Sequence, residues 1–346
     1  MLESQFTQAR RVSTASCARS RVPRRLTRGL LGALLCLVLA GVEAPSAAAH
    51  PGLDHQEGAV SRQLRAAPND PELRLRRASI RRERGDWRGA LADLAVASRN
   101  SKEKDPRVLL EEARARIDGG QQRRGESLLS RALAGELGSR DAGDAFELRA
   151  RLREARGDSV RARADYDAAL RAQPSVERYL RRGRIDELQG DLEAAIVGYR
   201  AGVEALAGAV VLERGLVRAL GRAGRHQEAL VRVDALIARS PLAAAWRLER
   251  ASLLEGSGAV AAAERERLVA LEEIEAVLRR RSSALHRLTR ARCLAALGRR
   301  TEALTEAEAL AKSYPKLGGV AELVAELRDD ASAAEVKTPA TRGRKR

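Results

Sequence analysis

Apolar residues recur with a helical period along most of this chain, and glycines interrupt the pattern at nearly regular intervals. Seven of these glycines are 33 to 40 residues apart: Gly85, Gly120, Gly157, Gly190, Gly224, Gly258 and Gly298. A small residue stands five residues after each glycine, and a small or medium-sized one stands seven residues before it. Glycine readily ends a helix in a left-handed cap, and small residues let two helices approach closely. The pattern therefore predicts seven helical hairpins.

A single hairpin cannot bury its own apolar face, so the hairpins are expected to stack on one another. The sequence predicts an all-α array over residues 71–316. A leader with a capping helix at 50–70 precedes it, and a second capping helix at 317–330 follows it. The unit that follows Trp246 is about six residues longer than the others. We therefore expect an extended second helix in that unit.

The repeat resembles the tetratricopeptide repeat family over residues 71–316. The clearest unit begins at Phe146 and contains Ala150, Gly157 and Ala162. The resemblance implies a right-handed α-solenoid whose first helices line a concave groove that binds a protein or peptide. It implies a scaffold without a cofactor, and not an enzyme.

One arginine column is expected to be structural. Five of the seven units carry an arginine just before the first small residue, and four of these have an acid 16 residues later. In a helical hairpin this offset places both residues at the seam between the two helices. The predicted pairs are Arg77–Asp93, Arg149–Asp165, Arg250–Glu266 and Arg290–Glu306.

A second arginine column follows the first small residue of five units. Its members are Arg114, Arg151, Arg184, Arg218 and Arg292, which we call the arginine stripe. By the family resemblance this position lines the groove, where arginine suits the capture of carboxylate or phosphate. Leu110 and Leu180 are expected to supply apolar anchors there. In the alternative interpretation the arginines are merely exposed, or are neutralised by nearby Glu111, Glu154 and Glu187.

The net charge of +17 is weaker evidence for a nucleic-acid partner than its size suggests. Residues 1–49 contribute +5, which leaves +12 for the rest of the chain. Aromatic residues make up only 2% of the sequence, so stacking platforms for bases are scarce. The leading hypothesis is an adaptor for a protein partner. The alternatives are a basic scaffold for an anionic polymer, and a noncatalytic subunit of an envelope enzyme.

The N-terminus is typical of a secretory signal. Arg24, Arg25 and Arg28 precede an uncharged run of 14 residues, and the small-residue sequence at 47–49 follows. These features predict a signal peptide at residues 1–49, or an uncleaved anchor, and a periplasmic or secreted protein. No span is expected in the mature chain, because the run is too short to cross a bilayer.

The sequence offers little chemistry beyond binding. Cleavage after residue 49 would expose an amine on His50 near His55, a weak candidate for a copper or zinc site. No phosphate-binding loop, paired-cysteine site or dinucleotide fingerprint is present. The only cysteine after the signal, Cys293, is expected to be a buried small residue. Residues 331–346 are polar and basic, and are expected to form a disordered tail.

Overall fold

A computed structural model describes residues 51–100 and 105–336, which form sixteen α-helices and no strand. In chain order they are α1 (Pro51–Ala66), α2 (Pro71–Glu83), α3 (Trp87–Asn100), α4 (Pro106–Asp118), α5 (Gln122–Ala132), α6 (Ser139–Glu154), α7 (Ser159–Ala172), α8 (Val176–Leu188), α9 (Leu192–Ala205), α10 (Val210–Arg222), α11 (His226–Arg239), α12 (Ala244–Gly256), α13 (Val260–Arg280), α14 (Ala284–Ala296), α15 (Arg300–Ser313) and α16 (Val320–Val336). The prediction of an all-helical repeat array is confirmed.

Helices α2 to α15 form seven consecutive hairpins, in which each even-numbered helix packs against the helix that follows it. All seven predicted turn glycines have positive φ angles, between 74° and 87°. At Gly190 the turn is closed when the Asp191 amide donates to the Asp186 carbonyl at 2.9 Å. The Asp191 side chain then caps α9 by accepting from the Ala194 amide at 3.0 Å. One short segment thus ends one helix and begins the next.

The small residues of the repeat are buried between the two helices of each hairpin. Ala78 and Ala90 are fully buried in the first hairpin, as are Ala150 and Ala162 in the third. Gly183 shows why size matters, since a Cβ atom there would lie 2.4 Å from the ring of Tyr199. The apolar core therefore runs along the array as a series of clusters that link neighbouring repeats.

The hairpins stack with their first helices on the inside of the curve. Each first helix contacts the first helix of the next repeat in every case except α6 and α8, whereas second helices of consecutive repeats show no comparable contact in the described array. Because the first helices approach one another more closely, they line the inner face of the array.

The long unit has the extended second helix that the sequence predicts, since α13 contains 21 residues. At the N-terminal end, α1 packs on α2. At the C-terminal end, α16 continues to Val336, six residues beyond the boundary at 330, so that boundary is corrected. The alanines and glutamate of residues 331–336 favour helix, which explains the extension. Residues 1–49 and the rest of the predicted tail lie outside the described residues.

Within the described ranges, no helix is both long enough and apolar enough to cross a membrane.

Candidate functional site: the inner face of the array

The four predicted seam pairs are brought together in the structure as ion pairs between the two helices of one hairpin. Their shortest nitrogen–oxygen distances are 2.6 Å for Arg77–Asp93, 2.7 Å for Arg149–Asp165, 2.9 Å for Arg250–Glu266 and 2.6 Å for Arg290–Glu306. These arginines are therefore held by fixed partners within the fold.

The seam carboxylates collect more arginines than the sequence pattern predicts. Asp93 is 1% exposed and accepts from Arg74 at 2.7 Å and Arg81 at 3.0 Å, as well as from Arg77. Burial raises the pKa of Asp93, but the hydrogen bonds from Arg77 and Arg74 outweigh it, so the pKa lies below its ordinary value of 3.8. The signal that would have found these partners is the spacing of arginines three residues before and four after the first one, which puts them on one helix face.

The third hairpin repeats this arrangement, and the fourth shows what happens without the acid. Arg153 donates to Asp165 at 2.8 Å. In the fourth hairpin Gly198 stands where the acid is expected, and Arg182 fills the space above it. Arg182 donates instead to the Ala194 carbonyl at 2.8 Å and also pairs with Asp186. The seam arginine thus finds a local acceptor even where the column breaks.

The arginine stripe lies on the inner face, as the resemblance implies, but its members differ in how far they are neutralised. Arg114 lies 3.3 Å from Glu111 and 3.4 Å from Asp144. Arg218 donates to Glu249 at 2.6 Å. The remaining three, Arg151, Arg184 and Arg292, are exposed and have no ion pair with any described residue.

The acids beside two of these free arginines are engaged by other groups. Glu154 accepts from the hydroxyl of Tyr166 at 3.0 Å, and Glu187 accepts from the hydroxyl of Tyr199 at 2.9 Å. Both tyrosines are buried, so the acids are tied to the hairpin core. Glu187 also pairs with an arginine of the next repeat, Arg222, at 2.7 Å. Of the acids proposed to neutralise the stripe, only Glu111 does so.

Two depressions follow the stripe. The first, of about 270 Å³, is lined by Arg114 and Arg151 together with the acids Asp144 and Glu147. Those two acids both accept from the buried Arg178, at 2.7 and 2.9 Å. Their charge is therefore partly spent within the fold, while the Arg151 guanidinium remains available to a ligand.

The second depression, of about 790 Å³, lies at the C-terminal end of the inner face. Arg218, Ser252 and Arg292 form one wall, and α16 contributes Glu322 and Glu326 to the opposite wall. Arg292 also lies against the backbone at Gly319, just before α16 begins. The stripe therefore ends in a cavity of mixed charge.

The prediction that Leu110 is a groove anchor is wrong. Its side chain is 2% exposed and belongs to the core between the second and third hairpins. An apolar residue at this position of α4 faces the neighbouring repeat, and the sequence period does not distinguish that side from the inner face. Leu180 is half-buried and packs on the core cluster around Tyr199, so only part of its surface reaches the inner face.

Cys293 is fully buried, and burial raises the pKa of its thiol to about 12. Such a thiol is a poor nucleophile. The described residues contain no group of three or more His, Cys, Asp or Glu side chains arranged to hold a metal ion. His55 is exposed on α1, whereas His50 lies outside the described residues.

Comparison with known proteins supports the repeat. The family model described as "Tetratricopeptide repeat" matches residues 214–268, which confirms the predicted resemblance over the fifth and sixth hairpins. No curated protein matches the chain in sequence.

The fold is similar to several solved structures. A tetratricopeptide repeat protein from Parabacteroides merdae is 18% identical, with a TM-score of 0.49 over 75% of this chain and 98% of its own. Yeast Tom70 is 16% identical, with a TM-score of 0.47 over 83% and 59%. YrrB, described as a TPR protein with an unusual peptide-binding site, is 17% identical, with a TM-score of 0.42 over 52% and 91%.

Proposed function

We propose that this protein is an exported, noncatalytic scaffold whose inner face binds an acidic segment of a partner protein, with Arg151 and Arg184 as its principal contacts. One observation carries the proposal. These two arginines occupy the same position in adjacent repeats and are exposed without ion pairs, while the acids next to them, Glu154 and Glu187, are held by buried tyrosines.

Arginine at these positions suits a carboxylate ligand because its planar guanidinium donates two parallel hydrogen bonds to two oxygens. Free guanidinium groups on consecutive repeats favour a chain that presents acids at intervals. A single-stranded nucleic acid is a poorer fit, since such sites combine charge with aromatic stacking. The only exposed aromatic residue in the described array is Tyr314, which lies at the end of α15 and not on a first helix.

Export belongs to the proposal on the strength of the sequence at residues 1–49 alone. Three arginines, an uncharged run and a small-residue site have the order of a secretory signal. The intact mass of the protein recovered from its host tests this. A mature chain that begins near His50 supports export with cleavage, whereas an unprocessed chain confined to the cytoplasm contradicts it.

The binding test uses a fluorescent peptide of alternating Glu and Ser, titrated with the full chain. The double variant Arg151→Gln/Arg184→Gln should bind it about tenfold more weakly or worse, because hydrogen bonds to charged groups contribute roughly 1.5–3 kcal/mol each. The matched control is Arg131→Gln/Arg171→Gln, which removes two exposed arginines from the second helices α5 and α7. Equal losses in the two variants would reduce the effect to net charge and contradict the proposal.

Salt dependence separates this function from polymer binding. A carboxylate site made by two arginines should lose affinity only moderately as salt rises. Binding to an extended polyanion releases many counterions and falls steeply with salt. Tighter and steeply salt-dependent binding of a long single-stranded oligonucleotide would favour the basic-scaffold alternative.

A further inference from the structure

The inner face changes character at α10. One row of residues stands six positions before the first small residue of each unit, near the start of the first helix. In the first four repeats this row is charged and consists of Glu72, Arg107, Asp144 and Glu177. In the last three repeats it consists of Val211, Ala245 and Leu285, which we call the apolar row. Val211 and Leu285 are 55% and 62% exposed, so the row is open to a ligand.

A basic row runs parallel to the apolar row. It lies seven residues further along the same helices and consists of Arg218, Ser252 and Arg292. Seven residues of helix span about 10.5 Å, and a helix with its side chains is about 10–12 Å across. A helix laid across α10, α12 and α14 would therefore reach both rows at once.

Charge on this face is unbalanced. Arg214 lies 3.7 Å from Glu249, and Arg218 lies 2.6 Å from the same carboxylate. Glu249 is the only acid of α10, α12 and α14 that pairs with these arginines, and α14 contains no acid at all. Burial, together with the nearby charges of Arg218 and Arg292, lowers the pKa of Arg214. Three guanidinium groups sharing one carboxylate favour the approach of further acids.

Arg214 itself is held in place and forms the floor between the two rows. Its guanidinium stacks on the ring of Trp246 at 4.9 Å, and that ring is buried in the core. Because Arg214 is fixed, it can receive a ligand without first losing side-chain freedom.

We propose that α10, α12 and α14 bind an amphipathic α-helix of the partner, with its apolar face on the apolar row and its acidic edge on Arg218 and Arg292. This inference rests on the proposed scaffold function and adds the conformation and chemistry of the segment that is bound. It also divides the inner face into an N-terminal half that reads acids alone and a C-terminal half that reads apolar and acidic groups together.

The probe is a synthetic peptide with leucines at helical spacing and glutamates along one edge of the leucine stripe. A peptide of the same composition in scrambled order is the ligand control. Fluorescence anisotropy with the full chain should show at least tenfold tighter binding of the ordered peptide. Equal binding of both peptides would overturn the proposal, because composition and not an amphipathic face would then be recognised.

The protein variants are matched in residue type and exposure. Val211→Gln/Leu285→Gln should weaken binding of the ordered peptide by about tenfold or more, since each side chain loses most of its buried apolar area. The control Val197→Gln/Val231→Gln alters two valines of the second helices that are 60% and 63% exposed. All four positions are exposed, so each variant should fold. A loss in the control as large as in the test variant would overturn the proposal.

The basic row is tested separately. Arg292→Gln should weaken the ordered peptide about fivefold, by the roughly 1 kcal/mol expected of an exposed charge pair with good geometry. Arg151→Gln/Arg184→Gln should leave this peptide unaffected. If the alternating Glu and Ser peptide still binds through Arg151 and Arg184 while the amphipathic peptide does not bind at all, the scaffold function stands and this inference fails.

Discussion

The seam carboxylate Asp93 gives the sharpest test of how the array is held together. Asp93→Asn keeps the shape of the side chain but removes the charge that gathers Arg74, Arg77 and Arg81. Three guanidinium groups would then face one another with a single neutral acceptor between them. The change therefore removes a shared partner and leaves like charges in contact.

The magnitude follows from burial. Breaking a fully buried ion pair by removing one partner costs about 3–5 kcal/mol. Asp93 is buried, but Arg77, Arg74 and Arg81 retain 14%, 20% and 23% exposure, so water can partly solvate them after the change. We expect a loss of about 2–3 kcal/mol in the local free energy of unfolding of α2 and α3.

Hydrogen exchange is the suitable assay because repeat arrays open locally. A loss of 2–3 kcal/mol should accelerate amide exchange in α2 and α3 by about 30- to 150-fold. The control is Asp234→Asn, whose carboxylate is 55% exposed and pairs with Arg250 at 2.7 Å. We expect that variant to lose less than about 1 kcal/mol. If Asp93→Asn accelerated exchange no more than Asp234→Asn, the seam would be no stronger than a surface pair.

The same carboxylate predicts a pH dependence. Its folded pKa lies below the ordinary value of 3.8 because the arginine hydrogen bonds outweigh burial. A depressed pKa means that the stabilisation is complete above pH 3.8 and is lost as the pH falls through the folded pKa. Protection of α2 and α3 in the unaltered protein should therefore be constant from neutral pH down to about 4 and fall below it. Asp93→Asn should not show that fall.

The remaining predictions concern the core and the inner face. Tyr199→Phe should release Glu187 to approach Arg184 and weaken binding of the alternating Glu and Ser peptide about threefold, measured by anisotropy. Gly183→Ala should cost about 1–3 kcal/mol in urea unfolding, because the added Cβ would lie 2.4 Å from the Tyr199 ring. Cys293 should resist thiol reagents at pH 8 and react only in urea, since its pKa is raised to about 12.

Matched controls exist for two of these changes. Tyr179→Phe removes a hydroxyl that makes no hydrogen bond to a described residue, so peptide affinity should not change. Gly138→Ala adds a Cβ with nothing within 4 Å and should leave the urea midpoint nearly unchanged. A loss at Gly138 as large as at Gly183 would contradict the packing argument, and rapid labelling of Cys293 without urea would contradict its burial.

How much of this could be read from the sequence depended on whether a residue repeated. The turn glycines and the seam pairs recur at fixed offsets, so a column of residues revealed the contact between two helices. Leu110 failed because its position repeats as an apolar residue without showing which neighbour covers it. The hydroxyl bonds of Tyr166 and Tyr199 to Glu154 and Glu187 occur in only two adjacent repeats. Two copies were too few to stand out as a column.

Those two tyrosine bonds link the fold of each hairpin to the charge of its inner face. Glu154 stands three residues after Arg151, a spacing at which a glutamate and an arginine on a helix attract one another. The core tyrosine competes for that glutamate and holds it at 3.0 Å, and the arginine remains free. The positive charge offered to a ligand is therefore a consequence of close packing between the helices. A variant that loosened the third or fourth hairpin would release the acid and should weaken binding before it unfolds the array.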